Sequence, residues 1–117
     1  MTAADTSSCV FCRIVRKEVP ARIVHEDDLV VAFHDVAPKS PTHILVIPRQ
    51  HLPGLSHSRT GDEPLLGHLY VTAARLAREM DIASYRTVTN DGADAGQSVF
   101  HLHVHLMAGR RFGWPPG

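Results

Sequence analysis

Histidines occupy alternate positions in the segment Gln97-Ser98-Val99-Phe100-His101-Leu102-His103-Val104-His105-Leu106-Met107, with apolar residues between them. On a β-strand successive side chains point to opposite faces. Val99, His101, His103, His105 and Met107 would then share one face, and Phe100, Leu102, Val104 and Leu106 the other. Imidazole titrates near neutral pH and serves as metal ligand, general acid or base, and nucleophile. A row of three is therefore read as a reactive surface, against the plainer alternative of a half-solvated strand rich in histidine. All three cannot hold one ion, because positions i and i+4 on a strand lie about 13 Å apart while a zinc-bound nitrogen sits about 2.1 Å from the metal. A division of labour fits better, with the central His103 as nucleophile or base. His101 and His105 would then serve orientation, leaving-group contact or a separate metal. Attack of a histidine nitrogen on phosphorus gives a covalent phosphoimidazole, a two-step route that needs no catalytic metal where loop amides neutralise the charge.

The only cysteines, Cys9 and Cys12, form the pair Cys9-Val10-Phe11-Cys12. A disulfide there would close a tiny loop, whereas Cys-X-X-Cys is a common half of a zinc site. Two more ligands are needed and none follows at local zinc-finger spacing, so distant histidines must complete the site if it exists. A redox pair or idle thiols are the competing readings.

The loop Asn90-Asp91-Gly92-Ala93-Asp94-Ala95-Gly96 leads straight into the histidine segment. Its glycines permit close backbone approach, and successive exposed N–H groups can cradle an anion, with Asn90, Gln97 and Ser98 adding side-chain donors. An ordinary hairpin connection would use the same residue types. Beside three histidines, the phosphate reading gains weight.

These groups must be positioned by a chain of 117 residues, enough for one domain with its own core. Lys plus Arg and Asp plus Glu both number 12, so no global basic field draws in nucleic acid or an anionic membrane. No apolar run approaches the roughly 20 residues that span a bilayer, and Met1 to Ser8 is small and polar. The expectation is a soluble cytoplasmic protein with a disordered lead-in over 1–8 and a single domain over 9–117.

Within that domain, residues 10–19 pattern as a short amphipathic helix ended by Pro20. Residues 22–25 and 29–34 read as a hairpin turning at Glu26-Asp27-Asp28, and 43–47 as a further strand ended by Pro48. Residues 49–61 form a loop or short irregular helix. The main helix follows, with Thr60 and Glu63 or Asp62 capping its start and Pro64 in its first turn. Leu65, Leu66, Leu69, Ala73, Leu76, Ala77 and Met80 form its core face. Residues 85–89 read as another strand. The tail ends in Gly113-Trp114-Pro115-Pro116-Gly117, whose Trp either packs on its own domain or reaches a partner. The sum is an α+β fold, a five-stranded antiparallel sheet with one main helix and a short N-terminal helix.

His101-Leu102-His103-Val104-His105-Leu106-Met107 resembles the His-φ-His-φ-His-φ-φ signature (φ apolar) of the histidine triad (HIT) superfamily of nucleotide hydrolases and transferases. Cys9 to Val15, Glu26 to Asp28, Ala32 to Asp35, Pro41 to Pro48, Asn90 to Gly92, Gly96 to Val99 and Trp114 to Gly117 are similar to the histidine triad nucleotide-binding branch. The likeness runs along nearly the whole chain beyond Ser8.

This resemblance implies a hydrolase of purine nucleoside 5′-phosphoramidates, such as an adenosine 5′-monophosphoramidate, acting through a nucleotidyl-histidine. The alternatives are a dinucleoside polyphosphate hydrolase of the same superfamily, or a nucleotide-binding regulatory protein with incidental hydrolysis. By the same resemblance His103 is the nucleophile, His105 contacts the phosphate and leaving-group oxygen, and Ser98 lies near the departing group. His43 orients the triad. Asn90, Gly96, Gln97 and Ser98 match phosphate-side contacts, Asp35 takes the ribose hydroxyls, and Val36, Phe11, Ile14 and Ile23 wall the base. Relatives with Cys-X-X-Cys carry structural zinc on two further histidines, here His51 and His101. Others lack the cysteines, so no metal is expected to be required for catalysis. The resemblance also implies a homodimer formed through the main helix and a shared sheet, with Trp114 approaching the partner's site. Phe112 puts the tail's contribution to leaving-group choice in question. His25, His34, His57 and His68 are read as surface or supporting residues.

Overall fold

The computed structural model describes residues 6–117. Its five strands are β1 (Ile23–Glu26), β2 (Val30–His34), β3 (Thr42–Pro48), β4 (Tyr85–Val88) and β5 (Val104–Ala108). They form one antiparallel sheet in the order β1-β2-β3-β5-β4. The last strand in sequence is thus inserted between β3 and β4, and the histidine segment enters the middle of the sheet. With the helices α1 (Val10–Val15) and α2 (Glu63–Glu79), the architecture is α+β, as the sequence predicts.

Alternation along the strands sends side chains to two different cores. Val30, Ala32, Ile44, Val46, Leu102, Val104 and Leu106 meet Leu65, Leu69, Ala73 and Leu76 of α2 on one face. Phe11 and Ile14 of α1 pack with Val31, Phe33, Leu45 and Ile47 on the other. Fully burying one such side chain is worth about 1.5–3 kcal/mol relative to leaving it exposed, so both helices are held by their apolar stripes. The histidines of the site emerge on the α1 face. His105 lies opposite Leu45 of β3, and His43 lies opposite Met107, which makes His43 and His105 diagonal neighbours.

Several expected boundaries move. The first helix ends at Val15, not Val19, because Lys17 adopts a left-handed φ of 64° and the N–H groups of Lys17 and Glu18 close back on the carbonyls of Ile14 and Arg13. Pro20 is therefore not the stop. Thr60 caps nothing at the start of α2. It lies in a 3₁₀ turn (Thr60–Asp62), and the Asp62 carboxylate accepts the Arg59 N–H at 2.9 Å. Residues 1–5 of the expected lead-in lie outside the described residues, while Thr6 accepts the Cys9 N–H at 3.1 Å in a turn leading into α1.

The strand expected across the whole histidine segment begins only at Val104. His101 precedes it in a bend over residues 99–101, and His103 in unladdered chain. The backbone there has other partners: the Leu102 N–H donates to Leu52 O at 2.6 Å, and the His101 carbonyl accepts from the His103 ring at 2.7 Å. Among the described residues no helix is long and apolar enough to cross a membrane.

Candidate active site

His103 is buried, and its Nδ1 lies 2.7 Å from the carbonyl oxygen of His101. A carbonyl only accepts, so Nδ1 carries a proton, and in the neutral ring Nε2 is left with a free lone pair. Such a nitrogen is the nucleophilic one. The His103 ring stands 4.8 Å from the ring of His105 and meets Phe11 edge to face at 5.2 Å, which restricts its rotation.

His105 is oriented by a second chain of donors. The Lys39 N–H donates to His43 Nδ1 at 3.0 Å, so a neutral His43 carries its proton on Nε2. That Nε2 donates to His105 Nδ1 at 2.9 Å, leaving His105 with its own proton on Nε2. The Asp35 carboxylate lies 3.4 Å from the same His43 nitrogen and is itself tied at 2.8 Å to the Ala37 N–H. Burial lowers the pKa of His43, with Asp35 opposing the shift. Burial, helped by the neighbouring His103 and His43, pushes His105 down to about 4. Both rings are neutral near pH 7, as this proton arrangement requires. The pair His103 and His105 thus offers one bare nitrogen and one N–H donor on adjacent rings.

A separate cluster takes the first histidine of the row. His101 Nδ1 lies 3.4 Å from Cys9 Sγ, 3.5 Å from Cys12 Sγ and 3.2 Å from His51 Nδ1, and Cys12 Sγ lies 3.2 Å from His51 Nδ1. All four ligand atoms fall within 4.8 Å of one another. Tetrahedral bonds of the usual lengths set nitrogen–nitrogen edges near 3.3 Å and nitrogen–sulfur edges near 3.6 Å, on the order of these distances. The His101 Nε2–H donates to Pro48 O at 2.8 Å, which leaves Nδ1 as the ligating atom. Burial pushes the Cys12 thiol up to about 11 and pushes His101 down to about 4, so a thiolate here needs a cation to stabilise it. The residues present fit a metal ion.

Other expected site residues are distributed more unevenly. Asp35 and Val36, the latter 97% exposed, line a cleft of about 440 Å³ together with Pro20, Ala21, Arg22 and His34. Phe11 and Ile14 are buried in the α1 core, and Ile23 packs at its margin. Ser98 is exposed and borders a second cavity of about 360 Å³ with Cys9, His51 and Phe100. Asn90 lies against Gly96, whose φ of 102° suits glycine.

Two expectations about the loop are corrected. The Gln97 side chain is no exposed donor: it is buried, accepting the Gly92 N–H at 2.8 Å and donating to Pro53 O at 2.7 Å and Val99 O at 3.1 Å. Nor does the loop present a run of free amides. The N–H groups of Ala95, Gly96 and Gln97 are turned inward onto the carbonyls of Gly92 and Ala93, because residues 93–95 form a 3₁₀ turn.

Sequence reasoning missed the backbone anchors, the carbonyls of Pro48, Leu52 and His101 and the Lys39 N–H, since any residue carries such groups. It also missed that His25 and His68 share one partner. Both donate to Asp27 Oδ2, at 2.8 and 2.7 Å, which ties the β1–β2 turn to α2.

Fold and site together define an α+β protein with a linked set of sheet histidines beside a Cys₂His₂ cluster. The HIT domain model matches residues 16–112, and the chain belongs to the HIT family. An uncharacterized HIT-like protein from Synechocystis sp. is 50% identical over 116 residues, covering 98% of this chain and 99% of that protein. Among solved structures, a HIT family hydrolase from Legionella pneumophila is similar with a TM-score of 0.92 and 39% identity, over 94% of this chain and 100% of that one. A HIT family hydrolase from Clostridium thermocellum is similar with a TM-score of 0.88 and 38% identity, over 92% and 95%.

Proposed function

We propose that this chain is a hydrolase that cleaves purine nucleoside 5′-phosphoramidates of the adenosine 5′-monophosphoramidate type. The observation that carries the reading is the pairing of the bare Nε2 of His103 with the Nε2–H of His105 on adjacent rings. His103 Nε2 attacks the α-phosphorus and the P–N bond to the amine breaks. The bound phosphate anion favours a protonated His105, which gives its Nε2 proton to the departing amine and is left as the neutral ring, with Ser98 alongside. Water then attacks phosphorus, the P–Nε2 bond breaks, nucleoside monophosphate leaves, and the water proton returns to His105. Asp35 accepts the ribose hydroxyls, and the cleft with Val36 receives the base. Asn90, Gly96, Gln97 and Ser98 border the phosphate, Gln97 through the loop it braces.

The likeness to two HIT family hydrolases supports hydrolysis as the reaction class. Cys9, Cys12, His51 and His101 hold zinc in this reading, and the bound ion supplies a rigid tetrahedral tie between chain segments. The exposed Tyr70 and Val71 of α2, with Tyr85 on the sheet-edge strand β4, support a homodimer across that face. Trp114, 83% exposed, is left available to a partner. Within its own chain the tail is held by Arg86, which donates to Gly113 O at 2.8 Å, and by Arg86 and Arg110 over the Phe112 ring.

The deciding assay compares tryptamine adenosine phosphoramidate with diadenosine polyphosphates as substrates for wild type and His103→Ala. Faster turnover of the phosphoramidate, nearly abolished by the substitution while AMP still binds, is the expected result. A preference for the polyphosphate moves the chain to the rival reading, and equal rates in both proteins defeat the mechanism.

A further inference from the structure

The nucleophile and the metal-binding cluster are joined through one peptide unit. The carbonyl of the His101–Leu102 peptide accepts the His103 Nδ1–H at 2.7 Å, and its N–H donates to Leu52 O at 2.6 Å. Each anchor of that peptide adjoins a member of the cluster: His101 itself on one side, and His51, the neighbour of Leu52, on the other. The two cluster nitrogens are 3.2 Å apart. Phe11, which sits between Cys9 and Cys12 in sequence, closes the arrangement by touching both His101 (5.9 Å) and His103 (5.2 Å) edge to face. His101 is fully buried and His103 nearly so.

We propose that Cys9, Cys12, His51 and His101 act as a positioning device for His103. When they are drawn together, the peptide plane is fixed, Nδ1 keeps the proton, and Nε2 stays bare and aimed. When the cluster is released, His101 and the chain at Leu52 are free to move independently, the peptide rotates, and the imidazole proton exchanges between its two nitrogens. The cluster reaches His103 through this peptide, so the effect belongs to orientation. A displaced nucleophile loses rate far out of proportion to the shift, because attack needs aligned atoms. The inference rests on His103 being the attacking group, but its primary readout needs no substrate.

The test is nitrogen-15 NMR of the histidine side chains in full-length protein at one fixed pH near 7.5, loaded with one equivalent of zinc and after chelation. Loaded protein is expected to show His103 as the pure Nδ1–H tautomer. Chelated protein and Cys9→Ser, with sheet amide signals retained, should show averaging of the two His103 nitrogens and a fall in kcat of about tenfold or more with KM changed less than about threefold, the range seen when outer supports of a site are removed. Readdition of zinc to chelated wild type should restore both signals. A pure Nδ1–H tautomer with unchanged kcat in folded, metal-depleted protein overturns the proposal. So does loss of the fold in every depleted form, which assigns the cluster to stability alone. If the loaded protein shows the expected tautomers but turns over no phosphoramidate, the substrate reading fails and the positioning role stands.

Discussion

His43 Nε2 stands 2.9 Å from His105 Nδ1, and this contact decides which nitrogen of His105 faces outward. The Lys39 N–H on the far side of His43 sets the direction, since it occupies His43 Nδ1 and forces the ring to donate. Two histidines on neighbouring strands thus behave as one oriented donor chain ending at His105 Nε2–H.

Breaking this chain has a leaving-group signature. His43→Phe keeps an aromatic ring at the site but removes both hydrogen bonds, so His105 loses its tautomer preference. For an amine leaving group, which must be protonated as it departs, kcat should fall by about 10²-fold, the lower range for general acid catalysis. A substrate with a phenolate leaving group needs no such proton and should lose less than about threefold. Steady-state kinetics on the two substrates read the difference, and equal losses would remove His105 from the role of acid.

Acid should destabilise the fold before it protonates ordinary carboxylates. Burial holds His105 near 4 and lowers His43, whereas both take up protons near about 6.5 in an unfolded chain. Because the unfolded state binds those protons first, the stability these groups contribute is present above about 6.5 and is lost as pH falls toward about 4. Thermal melts from pH 7.5 to 4 should show a declining midpoint in wild type and a shallower decline in His105→Gln. Parallel curves for the two proteins would contradict the assignment.

Asp27 is the polar knot between the β1–β2 turn and α2. Burial disfavours its charge, but hydrogen bonds from His25, His68 and the N–H groups of Leu29 and Val30 outweigh that and hold its carboxyl well below the usual carboxylate range. Asp27→Asn keeps the shape and the turn acceptor but removes the charge shared by the two histidines. A loss of about 1–3 kcal/mol is expected by urea unfolding, with kcat/KM unchanged because the cluster lies outside the site. A drop in activity without a drop in stability would assign it a different role.

Metal content provides a direct count. Purified wild type should carry about one zinc per chain by elemental analysis, as one four-ligand site requires, and Cys9→Ser should lose it on mild dialysis. Wild type that is folded, active and free of metal would refute zinc as the ligand of this cluster.

Much of this protein was legible in one dimension. Runs rich in Val, Ile and Phe announced β2 and β3, alternation announced β5, the helical spacing from Leu65 to Ala77 announced α2, and the His-X-His-X-His row with a distant Cys-X-X-Cys marked the candidate reactive and metal-binding groups. Strand spacing also separated His101 from His105, and the structure places them in two different clusters. The residues that tune the site were not legible. Lys39, Pro48 and Leu52 act through backbone N–H and carbonyl groups, which leave no mark on residue type. The Gln97 amide was read as a donor to ligand and is instead consumed by the loop, because only folding brings Pro53 and Gly92 within its reach.

The sequence by itself determined which groups exist, how they alternate and which faces of the sheet are apolar, since strand and helix periods are local properties of the chain. Tertiary structure alone decided the proton positions. Whether His103 and His105 present a bare nitrogen or an N–H depends on acceptors and donors contributed from His101, His43 and Lys39. For His105 those partners come from a loop and a strand some sixty residues away, and only the folded sheet sets them at hydrogen-bond distance.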